Sequence, residues 1–166
     1  VLVASVLKHR GVDTVVISDP SAERRAVARD MGVGMAVDPL EGDIVETVLS
    51  LTGGLGADVA FEAVGIGATV AQAHAVVRYG GTVVWIGNNV RVIDVDMQQV
   101  VTRELGVLGT YGMSDDDFVA ALGLLEAVAI DASSLINRRA TLEEGPALFD
   151  ELLASPGVVK CLFTFA

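Results

Sequence analysis

Short runs of β-branched and apolar residues alternate along this chain with longer amphipathic stretches, and this alternation constrains the fold more than any other feature. Thr14-Val15-Val16-Ile17-Ser18 and Thr82-Val83-Val84-Trp85-Ile86-Gly87 are nearly continuous apolar runs. Such runs mark strands buried on both faces. Further strands are predicted at Met35-Ala36-Val37, Asp58 to Val64, Gly106 to Thr110 and Val158 to Phe165. Between them, Val1 to Arg10, Ala22 to Met31, Asp43 to Leu51, Ala68 to Arg78, Met97 to Thr102 and Asp115 to Val128 read as helices. Asp19-Pro20-Ser21, Thr52 to Gly56 and Tyr79-Gly80-Gly81 read as turns or loops. Ser114 caps one helix, and Thr141-Leu142-Glu143-Glu144 has the pattern of a capping box opening another that runs to Leu153. Strands alternating with helices of this length imply a parallel sheet with right-handed crossovers, a doubly wound α/β architecture. Ligands of such sheets lie beyond the carboxyl ends of the strands, so the residues that follow each strand are the ones to inspect.

Composition excludes several classes of function. The 166 residues are 52% hydrophobic, too apolar for intrinsic disorder. Eleven Lys and Arg against 22 Asp and Glu give a net charge of −11, which repels nucleic acid. One cysteine, Cys161, excludes an internal disulfide and a multi-cysteine metal site. Two histidines, His9 and His74, leave little material for zinc. The longest apolar stretch, Phe118 to Ile130, is shorter than the roughly 20 residues a membrane span needs, and it contains Glu126. At the N-terminus the apolar run precedes Lys8-His9-Arg10, the reverse of a signal peptide. A cytoplasmic setting without membrane or nucleic-acid partners is expected.

Among strand-end residues, Asp19 stands out. A carboxylate after the second strand of a dinucleotide-binding fold accepts hydrogen bonds from the adenosine ribose hydroxyls and repels a 2′-phosphate. The same residue is equally well explained as an Asp at a helix N-terminus. Gly65-Ile66-Gly67 imitates a phosphate loop but lacks its third glycine; a tight strand-to-helix turn accounts for it better. Cys161 falls in a strand pattern as a small core residue, and His74 in an Ala/Val-rich helix as a packed or surface residue.

Taken together, VVISDPSAERRAVARDMG, TGGLGADVAFEAVG, YGGTVVWIG, LGTYG and LASPGVVKCLFTF, in this order and spacing, resemble the second half of the zinc-type medium-chain alcohol and polyol dehydrogenases. The resemblance covers essentially the whole chain. It implies that Val1 follows directly on the glycine-rich loop G-x-G-x-x-G, so that Asp19 lies about 20 residues beyond it. It implies a Rossmann-type sheet without its first strand, and zinc ligands only in an absent N-terminal half. On the same resemblance NAD is the cofactor. Asp19 and Arg24 would hold the adenosine ribose, Ala63, Val64 and Gly65 the groove wall, Ile86, Gly87 and Thr110 the nicotinamide end, and Lys160 the pyrophosphate. Arg24 and Lys160 also read as ordinary solvated charges, and Asn88-Asn89 departs from the more apolar residues usual in the family.

The implied domains are a partial NAD-binding domain, 1–110, and a returning part of the catalytic domain, 111–166. The expected function is hydride transfer between an alcohol and NAD in the parent protein, with no catalytic residue in this chain and no activity of the chain alone. The alternatives are a non-catalytic dinucleotide-binding or oligomerising module, and a zinc-free quinone or enoyl reductase of the same superfamily. Asp19 argues against the NADPH preference common among those reductases. The apolar edge at Gly106-Val107-Leu108 suits a covering partner, hence a homo-oligomer. Without a central strand, the strands ending near Asp19 and beginning at Asp58 would lack a shared neighbour. Their backbone groups would then need the rest of the enzyme, another chain or repacking.

Overall fold

The computed structural model describes residues 1–127, 129–154 and 157–165. It is an α/β protein in which every described strand pairing is parallel. The chain forms two compact units, one of residues 1–41 with 114–166 and one of residues 42–113.

The first unit opens with α1 (Leu2–His9), whose last turn carries Lys8 and His9 where cations suit the helix dipole. β1 (Val16–Ser18) and β2 (Met35–Val37) pair with Val16 opposite Met35. Between them runs α2 (Ala22–Asp30), capped by Ser21, whose hydroxyl accepts from the Arg24 amide. Ala4, Ala28 and Val33 form the local core, with Val15, Ile17 and Ala36 packed against it. The expectation that the first strand is buried on both faces is corrected here. Val16 and Ile17 are half-buried and Ser18 is exposed. Among the described residues β1 pairs only with β2, so its other edge carries no strand.

The second unit begins with α3 (Ile44–Leu51), capped by Asp43, which accepts from the Val45 and Glu46 amides. Ile44 and Val48 are buried, whereas Leu51 lies 43% exposed. β3 (Ala57–Glu62), β4 (Val77–Trp85) and, after α5 (Met97–Thr102), β5 (Gly106–Gly109) form one sheet in that order. α4 (Gly67–Val76) packs against β3 and β4. It ends two residues before the predicted Arg78, because β4 starts at once. The predicted turn at Tyr79-Gly80-Gly81 is absorbed into β4 as an irregularity. Ala57 pairs with Val77 but Val59 with Thr82, so the extra β4 residues bulge out, and Gly80 takes φ +64. Ala73, Val77, Val83 and Leu105 make this unit's core. Among the described residues β3 pairs only with β4, and its second edge is bare. Val59 and Phe61 on β3 remain 44% and 39% exposed.

The chain then returns to the first unit. α6 (Asp115–Glu126) has the full reciprocal box between Ser114 and Asp117; its predicted end, Val128, lies outside the described residues. β6 (Ile136–Ala140) and β7 (Lys160–Phe163) form a second sheet in this unit. Before β7 comes α7 (Gly145–Ala154), which starts later than the predicted box. Of that box, the Glu144 carboxylate accepts from the Thr141 amide at 2.7 Å. Pro146 is tolerated because first-turn amides have no helical acceptor. β7 is shorter than Val158 to Phe165, although Thr164 still donates to the Ala140 carbonyl at 2.8 Å. Ser155 and Pro156 of the resembling tail lie outside the described residues. Cys161 is half-buried rather than a core residue. Among the described residues no helix is long and apolar enough to cross a membrane.

Candidate functional site

The first group of candidates sits where β1 ends. The Asp19 amide donates to the Val37 carbonyl at 3.2 Å, which holds the residue at the strand terminus. Its Oδ1 accepts from the Ser21 amide at 2.8 Å and its Oδ2 from Arg24 Nε at 2.8 Å. Arg25 reinforces the turn, donating to the Asp19 carbonyl at 2.7 Å and pairing with Asp38 at 2.7 Å. The Asp19 and Arg24 side chains keep 25% and 39% exposure. Asp19 therefore shapes the entry to α2, as the helix-terminus reading requires. Each carboxylate oxygen still has a lone pair to offer, because an ionised carboxylate has about four acceptor positions.

The second group lies at the carboxyl ends of β3, β4 and β5 in the other unit. Ala63, Val64 and Gly65 follow β3, and Ile86 and Gly87 follow β4. Thr110 follows β5 and donates to the Trp85 carbonyl at 3.0 Å. The structure brings these six together: Val64 and Ile86 are exposed at 48% and 37%, and Gly65 is buried. Gly65 takes φ +81, and a Cβ there would lie 2.5 Å from the Asn88 and Asn89 amide nitrogens. This is the tight strand-to-helix turn expected in place of a phosphate loop.

Glu62, absent from the predicted set, organises this second group. It is 3% exposed. Its Oε1 accepts from the Val64 and Gly65 amides, both at 2.8 Å, and from the Thr69 hydroxyl at 2.7 Å. Its backbone carbonyl accepts from the Ile86 and Gly87 amides at 2.7 and 3.0 Å. The available signal was an ionisable residue following the apolar run Val59-Ala60-Phe61, since a buried carboxylate must be satisfied by nearby donors.

Lys160 lies on neither of these strand ends. It opens β7, is exposed, and enters no ion pair among the described residues. His74 is packed, 2% exposed, with its ring 5.8 Å from that of Trp85. Burial, and secondarily the Arg103 guanidinium, hold its imidazole below the ordinary value of 6.5. Arg103 itself donates to the His74 carbonyl at 2.9 Å and to the Val77 carbonyl. Among the described residues no three His, Cys, Asp or Glu side chains gather to hold a metal ion.

Comparison with known proteins gives these features a family. A profile described as zinc-binding dehydrogenase matches residues 1–127. Sorbitol dehydrogenase of Halalkalibacterium halodurans is 30% identical over 166 residues, covering 98% of this chain and 48% of the relative. Scyllo-inosose 3-dehydrogenase of Thermotoga maritima is 29% identical over 161 residues, covering 94% and 41%. The crystal structure of 2R,3R-butanediol dehydrogenase from Bacillus subtilis superposes with a TM-score of 0.88 at 28% identity, covering 99% of this chain and 47% of that one. A Sinorhizobium meliloti protein described as a zinc-binding dehydrogenase and bound to NADP superposes with a TM-score of 0.84 at 30% identity, covering 99% and 48%. The chain thus spans about half the length of the curated relatives it matches. Matched over residues 1–127, and with parallel strands of the Rossmann type, the chain belongs to the zinc-binding dehydrogenase family.

Proposed function

We propose that this chain is the NAD-binding part of an alcohol or polyol dehydrogenase. The observation that carries the reading is Asp19: a partly exposed carboxylate at the carboxyl end of a parallel strand, with one acceptor position open on each oxygen. Two adjacent hydroxyls of a ribose match that pattern. Arg24, held at 2.8 Å, fixes the carboxylate's rotamer and partly offsets its charge. The exposed turns after β3, β4 and β5 suit contact with a dinucleotide through backbone groups and small side chains. Gly65 and Gly87 suit that role because they let the chain run close to a ligand. Lys160 would supply a point charge to the pyrophosphate. Bound there, the nicotinamide ring would accept a hydride from the carbon of an alcohol.

The described residues do not fit the family's zinc, since no three ligands converge. We therefore assign no zinc step to this chain and place no catalytic residue in it. By the same reading residues 1–110 are the cofactor domain and 111–166 a return of the catalytic domain. The exposed apolar edge of β5, with Leu108 57% exposed, is where a second copy would add.

A family member bound to NADP makes NADP the competing cofactor. Asp19 supports NAD, because a 2′-phosphate beside it meets a like charge. The test is titration of the full-length protein with NADH and NADPH. Tighter NADH binding is expected; equal or tighter NADPH binding refutes the assignment of Asp19.

A further inference from the structure

The turns after β3 and β4 carry five of the candidate cofactor residues, yet neither turn is held by those residues' own side chains. Glu62 holds both. Its carbonyl takes the Ile86 and Gly87 amides, and its carboxylate Oε1 takes the Val64 and Gly65 amides and the Thr69 hydroxyl. Five donors from β3, β4 and α4 segments thus converge on one residue. The turns touch so closely that a Cβ on Gly87 would sit 2.5 Å from the Val64 amide nitrogen. The other carboxylate oxygen, Oε2, is buried and makes no hydrogen bond among the described residues.

We propose that Glu62 is a positioning residue for the dinucleotide, its side chain setting the Val64–Gly65 turn by the reach of a single acceptor oxygen while its backbone carbonyl holds the Ile86–Gly87 turn beside it. The inference rests on the cofactor reading given above. All three side-chain interactions end on Oε1, so what the Val64–Gly65 turn requires is an acceptor at that distance from the backbone. A glutamine supplies the same oxygen at the same distance and replaces Oε2 with an amide nitrogen. An aspartate keeps the charge and loses one methylene of reach, so it cannot meet three donors that are each 2.7–2.8 Å from Oε1. A residue needed for its charge or as a proton donor would behave the other way round, tolerating aspartate better than glutamine. Thr69 belongs to the same device, since its hydroxyl joins the first turn of α4 to the carboxylate.

The test uses the full-length protein, calorimetric titration with NADH and NADPH, and thermal unfolding. E62D should bind its preferred dinucleotide about tenfold more weakly, the cost of about one to two lost hydrogen bonds. E62Q should rescue binding to within about threefold of wild type. Val83→Ala, a cavity in the same sheet away from the turns, should lower the melting temperature at least as much with binding within about threefold of wild type. Wild-type affinity in E62D overturns the proposal, as does E62Q binding as weakly as E62D. Equal weakening by Val83→Ala also overturns it, because general loosening would then be the cause. Should E62D not fold, Thr69→Val, which removes one donor, should weaken binding about fivefold, and binding within about threefold of wild type overturns the proposal. Wild-type protein that binds neither dinucleotide refutes the cofactor reading and this inference with it. Binding by wild type that E62D leaves intact refutes this inference alone.

Discussion

Replacing Asp19 by alanine tests the cofactor reading at its centre, and the structure sets the size of the effect. One donor already occupies each oxygen, Ser21 N on Oδ1 and Arg24 Nε on Oδ2, both at 2.8 Å. One further hydrogen bond per oxygen remains for the two ribose hydroxyls. Hydrogen bonds to a charged group contribute about 1.5 kcal/mol each at the low end, so losing both costs about 3 kcal/mol, or roughly a hundredfold in NADH affinity. For NADPH the wild-type obstacle is repulsion. Two unit charges about 4 Å apart at an effective dielectric of about 20 interact by about 4 kcal/mol. Asp19 is 25% exposed and paired with Arg24, so we halve this to about 2 kcal/mol, about a thirtyfold preference for NADH. Asp19→Ala removes that repulsion and releases the Arg24 guanidinium toward a 2′-phosphate. The ratio of NADPH to NADH dissociation constants should therefore fall from about 30 to below about 1. Fluorescence titration with both reduced cofactors at about 0.1 M salt measures it, a concentration at which screening is moderate. If the variant weakens NADH and NADPH equally, the carboxylate does not read the 2′ position, and Asp19 is only the cap of a turn.

Other perturbations reach different parts of the molecule. Gly87→Ala should cost about 3 kcal/mol, roughly 10 °C in melting temperature, because the new Cβ meets the backbone of Val64 and Gly65 and no side chain can rotate away; a shift below about 2 °C would contradict the contact. His74 has a folded-state value below 6.5, so the unfolded chain holds more protons at mildly acid pH. Stability should be full above about pH 6.5 and fall as pH drops below it. His74→Leu should remove that part of the slope in urea titrations between about pH 7.5 and 5; an identical slope would refute the buried neutral imidazole. The lone tryptophan, Trp85, lies 5.8 Å from that ring, so its emission should fall as His74 protonates. Asp43→Ala should cost about 1 kcal/mol by stripping the Val45 and Glu46 amides of their cap, read as a lower urea midpoint.

The periodicity of apolar runs located the strands and helices because one buried face of each element repeats in sequence. It overstates burial at β1, where the run reads as covered on both faces and Val16 and Ile17 are only half-buried and Ser18 exposed. β1 also keeps one edge without a strand among the described residues. Periodicity reports what a segment is able to bury, whereas coverage depends on what other chain is present to do the covering. Boundaries failed where two signals competed. Gly80 and Gly81 announced a turn, but the β-branched and aromatic residues around them pulled Val77–Trp85 into one strand, with the turn surviving as a bulge. At Thr141 the capping pattern was present, yet Gly145 and Pro146 delayed the helix.

The two carboxylates of the candidate sites show why one was legible in the sequence and the other was not. Asp19 is followed by Pro20 and a helix start, so its neighbours alone place it at a strand end. Glu62 is read by donors from three elements: the Val64–Gly65 turn close by, Thr69 seven residues on, and the Ile86–Gly87 turn on the neighbouring strand. In sequence a single acid among Ala60, Phe61, Ala63 and Val64 reads as a solvated charge at a strand end. Only the pairing of β3 with β4, with Glu62 opposite Trp85, buries it and brings the second turn within reach. A residue whose role is to join segments distant along the chain has no local pattern to betray it. What the sequence does carry is the conflict between charge and apolar surroundings, and a conflict of that kind marks where a buried network must exist.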